Sequence, residues 1–278
     1  MRIRVGDAHC HLNPIRGLGV NAFSKKFIGS GGWFLALVNL PSWSYGINAS
    51  RVKDYEKIFR LNISTARSLR EKGLKVSVIL GVHPAEVARL VDMGASLEKA
   101  IRLAKDAYRL AASLVEKGCA EGLGEVGRPH WPAAKSLIDA CNDILDYVLR
   151  LAEELDCLVH IHAERRGLET IRDIAGRAPR GCRVVMHHAE GRYAREAYRH
   201  GLYPSVPARL EELIGALEAP LLVVESDFLD DPKRPGAVIA PWSISRTFRR
   251  LVARGYIDLE RAEDILVKNI EEIYSVAI

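Results

Sequence analysis

The sequence predicts an α/β fold, a closed (β/α)8 barrel of the TIM type that forms a single domain over residues 1–278. Eight short apolar segments recur along the chain, and segments with a helical pattern separate them. No change of composition divides the 278 residues. Alternating strands and helices indicate a parallel sheet, and eight repeats in about 250 residues suit a closed barrel.

An open, doubly wound sheet is the alternative arrangement of the same elements. Glycine motifs give it no support, since no Gly-x-Gly-x-x-Gly follows a first strand and no Walker-type phosphate loop is present. We therefore expect the barrel.

The N-terminal part of the chain predicts two strands, a loop and a helix. Polar and apolar residues alternate from the N-terminus, which indicates a first strand that ends near residues 13–14. Residues 17–32 are rich in glycine and predict a long functional loop. The apolar run at 33–40 predicts a strand buried on both faces, and a helix over 50–72 is expected to start at a capping serine.

The middle of the chain continues this pattern. Residues 75–82, 120–126 and 157–162 predict the third, fourth and fifth strands. Helices over residues 96–117 and 133–155 separate them, and the first of these begins at a capping serine and ends at a glycine.

The last part of the chain predicts three strands and two helices. The strands cover residues 181–188, 202–206 and 221–227, and the helices cover 243–253 and 259–274. The seventh strand has the weakest pattern, so we expect any irregularity of the barrel there.

The composition is ordinary for a soluble globular protein, with 48% apolar and 27% charged residues. The net charge of +5 is mild, and the sequence lacks the dense basic stripe of a dedicated nucleic-acid binder. Five cysteines without a Cys-x-x-Cys pair indicate reduced thiols. The sequence has no apolar run near the roughly 20 residues that span a membrane. We expect a cytoplasmic protein with no membrane association and no obligate protein partner.

Polar side chains gather where the predicted strands end. His9 and His11 lie two residues apart, so they share one face of the first strand and can hold a small cation between them. The carboxyl ends of barrel strands meet on one side, and seven of the nine histidines occupy such ends. Packing alone gives no reason to collect costly polar groups there. The strand-end set comprises His9, His11, His83, Glu125, His160, His162, His187, His188, Glu225 and Asp227.

A metal centre explains this mixture of imidazoles and carboxylates. Nitrogen ligands suit zinc, iron, nickel or cobalt, and carboxylates also accept manganese or magnesium. Glu125 is central among the strands and could bridge two cations. Two cations about 3.5–4 Å apart would lower the pKa of a shared water and generate a nucleophilic hydroxide. Asp227, on the last strand, could bind one cation and also take the proton from that water.

Together these motifs resemble those of the TatD-related metal-dependent hydrolases of the amidohydrolase superfamily. The matching stretches are Asp-Ala-His-Cys-His at 7–11, Gly-Val-His-Pro at 81–84, Gly-Glu-Val-Gly at 124–127, His162, His187 and Glu-Ser-Asp at 225–227. The resemblance extends along nearly the whole chain and implies a (β/α)8 barrel with two divalent cations. We expect zinc, with manganese or magnesium as alternatives.

The resemblance implies a role for each strand-end residue. One cation would be held by His9, His11, Glu125 and Asp227. The second would be held by Glu125, His162 and His187. His83 would orient the substrate or its phosphate.

Other positions depart from the family pattern or support the ligands. The chain has Glu164 where the family commonly has arginine, and Arg128 where it commonly has leucine. We expect Arg128 to contact substrate. Lys233 and Arg234 could contact a phosphate or belong to a solvated loop. A second group is expected to support the ligands without binding metal, and it comprises His160 and Glu225. His188 should point away from the barrel axis, unless the end of the strand twists and lets it support a ligand.

The resemblance favours a phosphodiesterase of the deoxyribonuclease type that acts on a nucleic acid or a small phosphoester. A metal-dependent amidohydrolase or lactonase, using the same hydroxide on a carbonyl carbon, is the alternative. A barrel that binds metal without catalysis is the third possibility, which an open coordination position argues against.

Overall fold

Nine parallel strands form one continuous sheet in the computed structural model, which describes residues 3–231 and 239–278. Neighbouring strands follow chain order from β8 back to β1, and β9 pairs with β1. The strands are β1 (Val5–His11), β2 (Gly32–Val38), β3 (Lys75–Leu80), β4 (Gly122–Gly127), β5 (Leu158–His162), β6 (Arg183–Met186), β7 (Leu202–Pro207), β8 (Val223–Glu225) and β9 (Phe228–Leu229).

The sheet closes into a TIM-like barrel where the end of β8 meets β1. The backbone N–H of Asp227 donates a hydrogen bond to the carbonyl oxygen of His9 (3.0 Å). The buried carboxylate of Asp7 accepts hydrogen bonds from the backbone N–H and the hydroxyl of Ser226, at 2.9 and 2.5 Å. The predicted parallel α/β barrel is thus confirmed.

Helices pack around the strands. They are α1 (Val20–Gly29), α2 (Val52–Glu71), α3 (Pro84–Asp92), α4 (Leu97–Glu116), α5 (Lys135–Leu155), α6 (Leu168–Arg177), α7 (Ala194–Arg199), α8 (Leu210–Ala216), α9 (Ile244–Ala253), α10 (Leu259–Glu263) and α11 (Asn269–Tyr274). A π-helical turn joins α10 to α11. Among the described residues, none of the helices has the length and apolar character required to cross a membrane.

Two apolar clusters hold these layers together. The larger cluster lies between the strands and the helices. The smaller one contains Leu158, which shares a face of β5 with His160 because alternate residues of a strand point the same way. Three residues of α11 (Ile270, Ile273 and Tyr274) belong to this smaller cluster. The C-terminal helix therefore packs against the strands through this smaller cluster.

The prediction of a long loop over residues 17–32 was wrong, because α1 occupies most of this segment. Phe23 and Phe27 lie four residues apart and bury their rings on one face of this helix. Glycines flank α1 on both sides and Gly29 is its last residue, so the glycine content of residues 17–32 masked a short helix.

Helix starts were predicted with mixed success. Ser96 caps α4 as expected, since its hydroxyl accepts a hydrogen bond from the backbone N–H of Lys99 (3.3 Å). Ser50 does not cap α2, which begins at Val52 without a side-chain cap. The sequence reading missed α3 altogether.

Irregularity of the barrel was expected at the seventh strand, but the shortened strand is β8. β7 forms a regular pairing with its neighbours over six residues, whereas β8 keeps only three. Lys233 and Arg234 lie outside the described residues.

Gly127 occupies a position where the fold demands glycine. Its φ is +138°, and a Cβ atom there would lie 1.9 Å from the carbonyl oxygen of His162. We expect Gly127→Ala to lower the free energy of unfolding by about 1–3 kcal/mol from backbone strain alone. The added methyl group would also force β4 away from β5, which should lower the free energy of unfolding further. Urea unfolding measures this loss.

Gly73→Ala is the matched control. Gly73 has a φ of +91° but open space around it, so only backbone strain of about 1–2 kcal/mol applies. Equal losses in the two variants would contradict the close approach of β4 to β5.

Candidate metal centre

Side chains from β1 and β4 converge at one end of the barrel. Nε2 of His9 lies 3.2 Å from Nε2 of His11 and 3.0 Å from Oε2 of Glu125. Nε2 of His11 lies 3.4 Å from the same carboxylate oxygen. Glu125 comes from an irregular position of β4, where the pairing with β5 shifts register. These three buried residues form a compact group of potential metal ligands.

The second carboxylate oxygen of Glu125 faces other strands. Oε1 lies 3.0 Å from Nδ1 of His162, 3.3 Å from Nε2 of His83 and 3.8 Å from Nε2 of His187. Nδ1 of His162 is buried, and its contact with Oε1 of Glu125 does not have the geometry of a hydrogen bond. Such an unsatisfied buried atom is uncommon and needs an explanation, for which a bound ion is one candidate. Glu125 therefore links two groups of imidazoles.

His187 and Asp227 complete the cluster. The ring of His187 stacks on that of His9, with centroids 3.6 Å apart. Oδ1 of Asp227 lies 3.5 Å from Nε2 of His11 and 4.0 Å from Nε2 of His187. The structure thus brings together all the residues predicted as ligands, which are His9, His11, Glu125, His162, His187 and Asp227.

Hydrogen bonds to the outer ring nitrogens determine which nitrogens of the ligands present lone pairs. Nδ1 of His11 donates to the carbonyl oxygen of Val38 (3.0 Å), and Nδ1 of His187 lies 2.8 Å from Oε2 of Glu225. In a neutral imidazole with a proton on Nδ1, Nε2 carries the lone pair. Once a cation displaces the Nε2 proton of His11, both rings present Nε2 lone pairs to the centre, and this donor set fits a divalent cation.

His83 has the opposite arrangement. Its Nδ1 accepts a hydrogen bond from the backbone N–H of Ala85 at the start of α3 (2.9 Å). Nε2 of a neutral His83 then carries the proton and faces Glu125. Although His83 lies within ligand distance of Glu125 and His162, it offers the cluster a hydrogen-bond donor.

The charges of the cluster favour a cation. Burial alone would raise the pKa of Glu125, but the surrounding imidazoles, His83 foremost, hold it well below its usual value. Burial would also raise the pKa of Asp227, but hydrogen bonds with His11 and His188 lower it. Burial would lower the pKa of His11, yet hydrogen bonds with Asp227 and Glu125 raise it to about 10. Two ionised carboxylates thus lie where a divalent cation would neutralise them.

The expectation that His188 points away from the barrel axis was wrong. β6 ends at Met186, and His188 has a φ of +56°, which turns its side chain toward the cluster. Its Nε2 lies 3.2 Å from Oδ2 of Asp227, and its Nδ1 lies 3.4 Å from Oε1 of Glu225. With His187 and Asp227 it forms a further group of potential ligands. Strand alternation does not extend beyond the end of a strand, so the sequence pattern misplaced it.

Two more histidines lie behind the predicted ligands. Nδ1 of His160 is 3.2 Å from Nδ1 of His9, at the position expected of a supporting residue. Nδ1 of His130 is 2.6 Å from Nε2 of His162. Sequence reasoning left His130 out because it lies in the loop after β4, where no periodicity predicts the path of the chain.

An open cleft of about 1020 Å³ lies beside the cluster and includes His130 and His188 in its wall. Arg128 also lines it, but its guanidinium forms ion pairs with Glu164 (2.9 Å) and Asp173. The charge of Arg128 is therefore compensated within the protein.

Glu225 supports the cluster through its contacts with His187 and His188. Its buried carboxylate accepts hydrogen bonds from the hydroxyl of Ser205 and the backbone N–H of His188, and Nδ1 of His187 contacts it as well. Residues that orient a metal-bound histidine typically contribute 10–100-fold to affinity. We expect Glu225→Gln to weaken zinc binding by about that factor, measured by competition with a chromogenic chelator.

Glu86→Gln is the control for this variant. Glu86 is also a buried glutamate, but it accepts hydrogen bonds from Ser42 and Tyr55 and does not contact the cluster. If both variants changed zinc affinity equally, the role of Glu225 would be one of general stability.

Comparison with known proteins places this geometry in context. Residues 6–275 match the family described as TatD related DNase. An uncharacterised protein of Methanocaldococcus jannaschii is 35% identical over 279 residues, covering 97% of this chain and 95% of that protein.

Solved structures are similar over the whole fold. The crystal structure of YjjV, a TatD homologue from Escherichia coli K12, superimposes with a TM-score of 0.70 at 18% identity, covering 99% of this chain and 100% of that chain. An uncharacterised amidohydrolase from Saccharomyces cerevisiae gives a TM-score of 0.66 at 13% identity, covering 98% and 100%. These likenesses concern the barrel.

Proposed function

Because this chain belongs to the TatD-related DNase family, we propose that it is a metal-dependent hydrolase of phosphodiester bonds, with a nucleic acid or a small phosphoester as substrate. One observation supports this most strongly. The carboxylate of Glu125 lies between two groups of buried imidazoles, with Oε2 toward His9 and Oε1 toward His162. A carboxylate placed between two sets of nitrogen ligands suits a pair of divalent ions.

We assign the ligands as the sequence motifs indicated. One ion would be held by His9, His11, Glu125 and Asp227. The other would be held by Glu125, His162 and His187. Zinc suits these nitrogen and oxygen ligands, and manganese or magnesium are the alternatives. Bound there, the ions would lower the pKa of water and neutralise charge that develops on the substrate.

Two further side chains have roles at the reacting group. Asp227 keeps 18% of its side chain exposed, so its carboxylate can reach a water at the mouth of the cluster and take a proton from it. Nε2–H of His83 can donate a hydrogen bond to a phosphoryl oxygen. Arg128 lines the cleft and would contact the substrate beyond the reacting group, with its charge shared with Glu164.

Hydrolysis of a carbonyl substrate is the second candidate, and the charge of the cleft favours it. Among the described residues, each of the four arginines in the cleft wall is paired with a carboxylate: Arg128 with Glu164, Arg165 with Glu212, Arg166 with Glu169 and Arg177 with Asp146. Compensated charge suits a neutral amide or lactone better than a polyanion. A barrel that holds metal without catalysis fits less well, because a structural site is closed whereas this cluster borders an open cleft.

The test is a substrate screen of the metal-loaded protein and of the chelated protein. Bis-p-nitrophenyl phosphate, oligonucleotides and a panel of lactones separate the two chemistries. We expect hydrolysis of the phosphodiesters, loss of activity with chelator and recovery on return of the metal. Activity confined to the lactones would overturn the phosphodiesterase proposal.

A further inference from the structure

We propose that Tyr274, in the C-terminal helix α11, is a positioning residue for the metal centre. Acting through His160, it fixes the proton of His9 on Nδ1 and leaves the lone pair of Nε2 free for the metal. This inference rests on the proposed function only in that it takes His9 as a ligand. No motif and no role assigned above includes the tyrosine hydroxyl.

The first step is the direction of the hydrogen bond at Tyr274. Its hydroxyl lies 3.0 Å from the backbone carbonyl oxygen of Ala8. A carbonyl oxygen only accepts, so the single hydroxyl proton of Tyr274 is used in this bond. The hydroxyl oxygen is left as an acceptor for any other partner.

The second step transfers this constraint to His160. Nε2 of His160 lies 3.1 Å from the same hydroxyl. Since that hydroxyl has no proton left to donate, Nε2 of His160 must carry a proton and donate it. His160 is fully buried, and its partners among the described residues are Tyr274 and His9, so the neutral ring is favoured. Nδ1 of a neutral His160 is then a bare acceptor.

The third step fixes His9. Nδ1 of His9 lies 3.2 Å from Nδ1 of His160 and must supply the proton of that contact. Nε2 of His9 is therefore bare, 3.2 Å from Nε2 of His11 and 3.0 Å from Oε2 of Glu125. The remaining proton among these three groups is then on Nε2 of His11, and a cation has to displace only that one proton.

An alternative placement of the protons on His160 and His9 shows what this series of hydrogen bonds prevents. Without the hydroxyl of Tyr274, Nε2 of His160 loses its acceptor, and His160 can place its proton on Nδ1 instead. His9 would then accept at Nδ1 and direct an Nε2–H at the carboxylate of Glu125, 3.0 Å away. That proton occupies the ligand position, so a metal ion would have to displace it, and affinity would fall.

Tyr274→Phe tests the proposal directly, since it removes one hydroxyl and keeps the ring. In the metal-free protein labelled with ¹⁵N-histidine, the spectrum should show the His9 proton on Nδ1 in the wild type and a shift toward Nε2 in the variant. Zinc affinity, measured with a chromogenic chelator, should fall by about 10–100-fold. Tyr55→Phe is the matched control, because Tyr55 is equally buried and its hydroxyl contacts Glu86.

A double-mutant cycle separates this route from a general loss of stability. If Tyr274 acts through His160, then Tyr274→Phe should have no further effect on zinc affinity in a His160→Leu background. An unchanged His9 tautomer with wild-type zinc affinity in Tyr274→Phe would overturn the proposal, as would additive effects in the cycle. Neither readout requires turnover, so a shifted tautomer and weakened binding in a protein that hydrolyses no phosphodiester would refute the proposed function and leave this inference standing.

Discussion

Glu125→Gln is expected to lower kcat/KM by about 10³-fold or more, because bound metal ions contribute several kcal/mol to catalysis and each 1.4 kcal/mol is about tenfold. Glu125 contacts both groups of imidazoles with separate oxygens, His9 and His11 on one and His162 on the other. Glutamine has one oxygen and no charge, so it cannot bridge two cations. Metal content and steady-state kinetics measured on the same preparation check both consequences.

Glu121→Gln is the control, because Glu121 lies just before β4 and pairs with Arg70, away from the cluster. That variant should keep its metals and its activity. A Glu125→Gln protein that binds two equivalents of zinc as tightly as the wild type would show that this carboxylate does not bridge.

Asp227→Asn is expected to lower kcat by about 10²–10⁴-fold, the usual contribution of a group that transfers a proton in the transition state. The carboxylate lies beside His11 and His188 and reaches the open side of the cluster. Asparagine keeps an oxygen for the metal but cannot accept the proton of an attacking water. We therefore expect kcat to fall while KM changes little. Steady-state kinetics on the best substrate of the screen measure both.

Asp230→Asn provides the comparison for this variant. Asp230 lies three residues further on and accepts hydrogen bonds from the backbone N–H groups of Asn13 and Leu18, so its role is in the loop structure. Its replacement should affect unfolding more than kcat. Wild-type kcat in Asp227→Asn would rule out the proton transfer assigned to it.

The sequence predicted the barrel and the position of most ligands because two simple rules apply there. Alternation along a strand places His9 and His11 together. The rule that strand ends meet on one side of a barrel brings His162 and His187 to them. Both rules apply to residues that are far apart in the chain, and neither requires the conformation of the loops to be known.

The same rules fail wherever the backbone leaves regular structure. His188 follows the end of β6 with a positive φ, and His130 lies in a loop, so neither could be placed by periodicity. The pairing of Arg128 with Glu164 and Asp173 depends on contacts of one loop with another loop and with α6, which no local pattern encodes. Tyr274 reaches His160 from more than a hundred residues away, and only the folded barrel brings them together.

The central claim is that Glu125 lies between two metal ions, and anomalous diffraction from crystals of the zinc-loaded protein tests it most directly. We predict two peaks about 3.5–4 Å apart on either side of the Glu125 carboxylate. One should lie about 2.0–2.1 Å from Nε2 of His9 and of His11, and the other at the same distance from Nδ1 of His162 and Nε2 of His187. Zinc bound elsewhere, with the imidazoles around Glu125 still bonded only to protein atoms, would contradict the account.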